Sequence, residues 1–298
     1  MVYIFLQSPN KNSVFIYNQH FFIINHNNII MNQRKIIFLG TGAPDATKYF
    51  HSSYLIQENE TRILVDTGGG AQILRQLEQA NMPLKYINHI FITHKHTDHI
   101  LGIFWIMRMV ASKISKDEIP KLNIYCSAEV AEIIKTISRL LLKAKVADLF
   151  DDKILFHIIS DGHKTPFGDW QLAFFDTHSK KIEEYGVKIT FSDWKSFITL
   201  GDEPYNENLL NICQNCDYIL HEAFCLESDR EIFKPEKIHH STVKEAASFA
   251  ENLKAKNLIL YHTEDKTRDR KELYANEAKK FFSGKVYVPD DLEEIEII

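Results

Sequence analysis

Nowhere does the chain reach the roughly 18 consecutive apolar residues that a membrane-spanning helix needs, so no membrane partner is implied. Cysteine is scarce, with Cys126, Cys213, Cys216 and Cys225 the only four in 298 residues. That excludes a disulfide-built scaffold and fits a reducing, cytoplasmic compartment. Cys213 and Cys216 form a C-x-x-C, but no second one exists to complete a four-thiolate zinc site. The pair falls in a helix-like run, 206–216, so ordinary buried thiols are expected. Positive charge is not in excess: 35 Lys and Arg stand against 40 Asp and Glu, a net −5. That removes a global electrostatic case for nucleic-acid binding and leaves local basic patches open. Residues 31–298 hold no internal repeat, heptad pattern or low-complexity block. Residues 1–30 lack the charged start, unbroken apolar middle and small-residue cleavage site of a signal peptide. They are expected to be an appendage outside the fold, or the product of a start assigned ahead of Met31, with one domain over 31–298.

What is present begins with an apolar fraction of 45% and an aromatic fraction of 12%, ample for a large core. Lys35–Leu39, 53–56, 62–65, 89–92 and 122–126 read as strands in the first half. In the second half, 154–159, 171–175, 185–191, 196–200, 217–224, 258–261, 285–288 and a stretch near Ile295 do the same. Amphipathic helices are expected over 71–80 and 128–142. Another is expected after Thr242, where Thr-Val-Lys-Glu makes a capping-box pattern. Asp161-Gly162 and Pro166-Phe167-Gly168-Asp169 read as turns.

The chemically dense stretch is Thr93-His94-Lys95-His96-Thr97-Asp98-His99, which packs three imidazoles and a carboxylate into six residues, 94–99. Imidazole suits zinc, copper, iron and nickel, and a carboxylate neutralises charge. Around a tight turn after a strand, His94 and His96 can clasp one ion while Asp98 and His99 turn toward a second. His178 follows another apolar strand and offers the third ligand that a two-histidine site lacks. A carboxylate just past a strand, Asp202, is placed to bridge two cations, since each of its oxygens can bind one.

The His-x-His-x-Asp-His run resembles the signature of the metallo-β-lactamase-fold hydrolases, and Phe38-Leu39-Gly40-Thr41-Gly42 resembles the opening strand of their ribonuclease Z-like branch. The resemblance covers residues 35–298 and implies a four-layer αββα sandwich of two mixed sheets flanked by helices. It implies that His94, His96 and His178 hold one divalent ion, and that Asp98, His99 and His262 hold a second. Asp202 bridges them, and Asp66 supports the histidines from behind. The ions would be zinc, with manganese and iron also used on this fold. Two such ions lower the pKa of a shared water toward neutrality, giving hydroxide as nucleophile, and they clamp developing negative charge. A net positive site favours an anionic substrate, a phosphodiester or RNA.

His221-Glu222-Ala223 with His240-Ser241-Thr242 resembles the paired motifs of the same branch, in which the Glu orients the His and the His acts on the leaving oxygen. Glu222 and His240, with Asp98, are therefore the expected catalytic side chains of a phosphodiesterase. One feature departs from the branch. Ribonuclease Z enzymes usually carry a protruding tRNA-gripping arm between the third-motif His and the bridging Asp, and here His178 and Asp202 lie only 24 positions apart. A nucleotide phosphodiesterase is thus expected alongside RNA 3′-processing. The competing readings are hydrolysis of a small ester, thioester, lactone or sulfate ester, and a non-catalytic binder with a relic site. The ligand set is complete, which disfavours the relic. A homodimer is compatible with the chain.

Overall fold

Strands that alternate large apolar side chains on both faces must be covered on both faces. Ile36, Phe38, Tyr54, Ile56, Ile63, Val65 and Phe91 point into one core, while Ile37, Leu39, Leu55, Leu64, Ile90 and Ile124 point into another. The period of two thus separates an inner core from an outer one. A second set of strands repeats the pattern, with Leu172, Phe174, Val187, Ile189, Phe197, Leu220 and Ile259 facing the same inner core. Their neighbours Ile198, Leu200, Ile219, Leu258 and Leu260 face a third core.

The computed structural model describes residues 34–298 throughout and, before them, only the strand backbone of residues 6–7, 13–17, 20–25 and 28–31. Those four short strands pair antiparallel in chain order as a sheet of their own. The expected appendage at 1–30 otherwise lies outside the described residues.

Two seven-stranded sheets make the body. The first runs Ile154–Ile158, Leu122–Cys126, His89–Phe91, Thr61–Val65, Ser53–Glu58, Arg34–Gly40, Glu294–Glu296, parallel over its first four strands and antiparallel beyond. The second runs Lys164–Phe167, Trp170–Asp176, Tyr185–Thr190, Ser196–Thr199, Tyr218–Glu222, Asn257–Tyr261, Lys285–Tyr287, with its last four strands parallel. Helices Gln72–Gln79, Gly102–Ile114 and Ala128–Leu141 cover the first sheet. Helices Val243–Asn252 and Arg270–Ala278 cover the second. This is the four-layer αββα sandwich.

Several local expectations hold. The capping box at Thr242 is formed, with Thr242 and Glu245 each bonding the other's backbone. Two differ. Pro166 lies in a strand, Lys164–Phe167, rather than a turn, and it can because that strand is the sheet edge, where a missing N–H costs no ladder bond. The basic run at 266–271, expected as a solvated loop or helix start, does open the helix Arg270–Ala278, but Arg270 itself is buried, donating to Thr41, Thr263, Pro289 O and Asp290. That side chain is a structural tie.

All four cysteines are free and buried, and burial pushes each thiol up to about 12. A thiol that far above neutrality holds almost no thiolate, the reactive form. Folded protein should therefore react with a disulfide reagent at neutral pH at less than one thiol over minutes, against four once unfolded in guanidinium. Fast native labelling of the Cys213–Cys216 pair would overturn this.

Candidate metal centre

In open α/β sheets, sites gather outside the carboxyl ends of parallel strands. Here the strand ending at Val65 delivers Asp66, that ending at Phe91 delivers Thr93 and the histidine run, and that ending at Tyr261 delivers His262. Ser196–Thr199 and Tyr218–Glu222 deliver Asp202 and Glu222 at the same edge. Asp66 and His262 both hold the left-handed backbone, φ 56° and 55°. That conformation costs a non-glycine residue about 1–3 kcal/mol and is often stored at functional sites. It turns each side chain sharply off its strand.

A short helix, Thr97–Ile100, starts inside the motif, so Asp98 and His99 sit on its first turn. The turn at 66–68 braces it: Thr67 donates to His99 O through N–H and hydroxyl, and Gly102 N–H donates to Gly68 O. A Cβ on Gly102 would lie 1.9 Å from Thr67 O, so no larger residue allows this approach.

Two donor groups result. His94, His96 and Asp202 form one, and Asp98, His99 and His262 the other, each with donor atoms within 4.8 Å of one another. Asp202 lies between them. Its Oδ1 is 3.6 Å from His94 Nε2, while Oδ2 is 3.6 Å from His262 Nε2 and 3.9 Å from His99 Nε2. The partners behind the rings are in place. Asp66 accepts from Thr93 N–H and Thr93 hydroxyl, and its Oδ2 lies 2.7 Å from His99 Nδ1. His262 Nδ1 meets the Ser52 hydroxyl at 2.9 Å, and His94 Nδ1 meets the Thr93 hydroxyl at 2.9 Å. Asp98 Oδ2, His99 Nε2 and His262 Nε2 are buried without a hydrogen-bond partner. Unpartnered buried atoms of ligand type, gathered in one small volume, fit a divalent cation.

The electrostatics agree. Burial holds His94 well below the usual histidine range and lowers His262 to about 3, so both rings stay neutral with a lone pair to offer. Burial works against ionised Asp98 and Asp202, yet the surrounding imidazoles keep both carboxyls below their ordinary range. His99, also buried, is lifted instead by the flanking Asp98 and Asp66.

His178 is not brought to the cluster. The strand Trp170–Asp176 ends at the correct edge, but His178 turns in a left-handed conformation, φ 56°. Its N–H donates to Asp176 Oδ1, and its side chain is 45% exposed. Lys181 reaches in instead, placing Nζ 3.4 Å from Asp202 Oδ1 and 3.5 Å from Glu203 Oε2. Glu184 is wholly buried, accepts from Asp202 N–H at 2.8 Å, and lies 3.6 Å from His94 Nδ1. Burial and the nearby Asp202 raise Glu184 well above the carboxylate range, so it is held neutral. Gly201 makes room for it, since a Cβ there would fall 1.8 Å from Glu184 Oε1.

Beside the second group stands His240. It lies within 4.8 Å of Asp202 and His262, and its Nδ1 is 3.5 Å from Glu222 Oε2. Glu222 Oε1 accepts from Ser241 N–H, which fixes the carboxylate. The expected pair is therefore assembled at the rim of the cluster. Ser52, Thr93, Lys181 and Glu184 were not legible as site residues. A serine, a lysine and a glutamate outside the histidine run carry no local pattern of their own.

The family model described as Anti-Pycsar protein Apyc1 matches residues 34–286. The chain belongs to the Anti-Pycsar protein Apyc1 family. It is also similar to a ribonuclease Z from Archaeoglobus fulgidus, 26% identical over 88% of this chain and 97% of that protein. Among solved structures, the metallo-β-lactamase-fold protein YhfI from Bacillus subtilis superposes with a TM-score of 0.72 at 21% identity, covering 89% of this chain and 100% of that one. The short form of human tRNase Z gives 0.69 at 20% identity, covering 89% and 99%. The protein is a metallo-β-lactamase-fold, ribonuclease Z-like metal-dependent hydrolase.

Three outcomes are expected. Asp202→Ala should bind fewer ions per chain than wild type by elemental analysis, and Asp66→Ala should weaken metal affinity about ten- to a hundredfold. An unchanged ion count in Asp202→Ala would undo the bridging role. Chelated protein should lose stability toward urea as pH falls from about 6.5 toward about 3. The sign follows from His262 and His94, which take up protons in the unfolded chain over that range but not in the folded one. A flat or rising urea midpoint between pH 7 and pH 5 would contradict it.

Proposed function

We propose that the chain is a phosphodiesterase that holds two divalent ions, zinc or its manganese and iron substitutes, and hydrolyses a small nucleotide diester or an RNA end. His94, His96 and Asp202 would hold one ion; Asp98, His99 and His262, sharing Asp202, the other. Two dications there supply an activated water and a clamp for charge developing on a phosphoryl group. The chain's own side chains do the rest. Asp66, Ser52 and Thr93 fix the rings that face the ions.

The observation that carries the reading is the Glu222–His240 pair. Cleaving an alkyl diester expels an alkoxide, which needs a proton, and this pair resembles the one with which the ribonuclease Z-like branch supplies it. His240 stands against the cluster with a carboxylate behind Nδ1, which suits a general acid whose Nε2 faces the substrate. The size of the substrate is argued from the chain between His178 and Asp202. It is spent on one antiparallel pair, Tyr185–Thr190 with Ser196–Thr199, which leaves no length for a tRNA-gripping arm. A short diester, linear or cyclic, needs none.

The test is a substrate screen on zinc- or manganese-loaded protein with bis-p-nitrophenyl phosphate, a cyclic nucleotide and a 3′-extended precursor tRNA. Turnover of diesters is expected, and activity confined to carboxylic esters would sink the reading. His240→Ala should bind metal normally yet lose about 10²–10⁴ in kcat on a nucleotide diester. It should lose far less on bis-p-nitrophenyl phosphate, whose phenolate departs unprotonated. Full wild-type rate on both would remove the acid role.

A further inference from the structure

The loop that carries His240 does more than present one ring. Between the strand Tyr218–Glu222 and the helix Val243–Asn252 it makes a short excursion in which apolar side chains are left on the surface. Ile232 is 75% exposed and Ile238 45% exposed, with Phe233 half-buried between them in sequence. Scattered exposed apolar residues are ordinary; a continuous path from a reacting centre is not. Here ring contacts lead inward from half-buried Phe233 through buried Phe224 to His240. The His240 ring lies flat against Phe224, centroids 5.4 Å apart at 16°. Phe224 meets Phe233 edge-on at 5.8 Å and 89°. The Lys266 ammonium stands 5.6 Å over the Phe233 ring. Backbone bonding fixes the inner end of this ledge, since His240 N–H donates to Pro235 O and Phe224 N–H to Ser241 O.

We infer that the outer part of this ledge, the half-buried Phe233 ring backed by buried Phe224 and flanked by Lys266, seats the nucleoside joined to the leaving oxygen. The inference rests on the phosphodiesterase reading and adds the place of the leaving group. A general acid must touch the leaving oxygen, so the alcohol attached to that oxygen lies next to His240. On one side of His240 are His262, at 5.1 Å between centroids, and Asp202, both buried. That side is occupied by the ligand wall. On the other side is buried Phe224, with the half-buried Phe233 ring beyond it. A nucleobase presents a flat π-face that stacks on aromatic or apolar surface whatever its identity, and a nearby cation favours its carbonyl oxygens and the adjoining phosphate. Lys266 supplies that cation.

The test is calorimetric binding of adenosine 5′-monophosphate and of inorganic phosphate to zinc-loaded wild-type protein and to Phe233→Ala. Wild type should bind the nucleotide about tenfold more tightly than phosphate, which is the scale of one base stacked on a ring. Phe233→Ala should lose that margin while phosphate affinity stays put. Phe233→Trp, which keeps a flat ring, should retain it, and this guards against an alanine variant that fails to fold. If phosphate itself does not bind the loaded protein, the phosphodiesterase reading fails, and the ledge with it. If phosphate binds but the nucleotide binds no better, or Phe233→Ala changes neither affinity, the ledge alone is overturned. If Phe233→Ala turns a dimer into a monomer in sedimentation and leaves nucleotide affinity unchanged, the face joins two copies of the chain and the nucleoside seat is likewise overturned.

Discussion

A neutral imidazole offers a lone pair on one nitrogen only, because the other carries the proton. A site built from histidines therefore depends on something that decides which nitrogen is which. In this protein the decision is made by groups that are themselves fixed. Asp66 takes two bonds from Thr93 and holds His99 Nδ1. The Ser52 hydroxyl meets His262 Nδ1 and the Thr93 hydroxyl meets His94 Nδ1. Glu222, locked by Ser241 N–H, stands behind His240 Nδ1. For His94, His99 and His262, Nδ1 is engaged and Nε2 is turned inward, the arrangement that orients metal-facing imidazoles in general, while His240 Nδ1 has the Glu222 carboxylate 3.5 Å away without a hydrogen bond. His96 is the exception, since its Nδ1 faces the centre, 3.0 Å from His94 Nε2.

That common logic also limits the charge that must be buried. Placing several carboxylates in one dry volume is costly unless some are neutral or paired. Glu184 is held neutral by burial beside Asp202, and Lys181 offsets part of the charge on Asp202. Asp98 and Asp202 stay ionised among the imidazoles. The first donor group thus has a lysine at its mouth where a third histidine was expected, while the second group has three buried donors of its own. The two halves of the centre are chemically unequal, and Asp202 is the one residue answerable to both.

The sequence disclosed these features unevenly, for physical reasons. The sandwich was legible because buried parallel strands need apolar residues on both faces, and such runs stand out at Lys35–Leu39, Leu122–Cys126 and Leu258–Tyr261. The run from His94 to His99 was legible because donors close in sequence make a local pattern. The groups that orient those donors were not, apart from Asp66, since Ser52 reaches His262 across 210 positions and nothing about a serine announces it. The edge strand at Lys164–Phe167 was hidden by Pro166, which punctuates turns more often than edges. Only the start of the helix Arg270–Ala278 was legible, because the helix buries Arg270 and Tyr274 rather than an aliphatic stripe. His178 was placed on the correct edge by topology, but the direction of one side chain after a left-handed turn has no sequence period to reveal it.

The same contrast bears on specificity. Residues that perform the shared chemistry sit at strand ends, where the sheets hold them rigidly and the sequence marks them. Residues that would choose a substrate sit on the excursion between Glu222 and Val243, where two left-handed residues, Lys234 and His239, reverse the chain twice in a few positions. The excursion is closed at its base by Phe224 with Ser241 and Cys225 with Thr242, and it is tied back to the body by Leu226, Glu227, Arg230 and Phe233, which leaves the exposed Ile232 and Ile238 as positions that can change without disturbing either sheet. His240 is the exception within it, fixed by Pro235 O and faced by Glu222. His240 is thus tied to the geometry of the strand ends while exposed side chains nearby are free to vary, so that under the proposed acid role leaving-group preference would change by substitution around His240 without rebuilding the donor cluster.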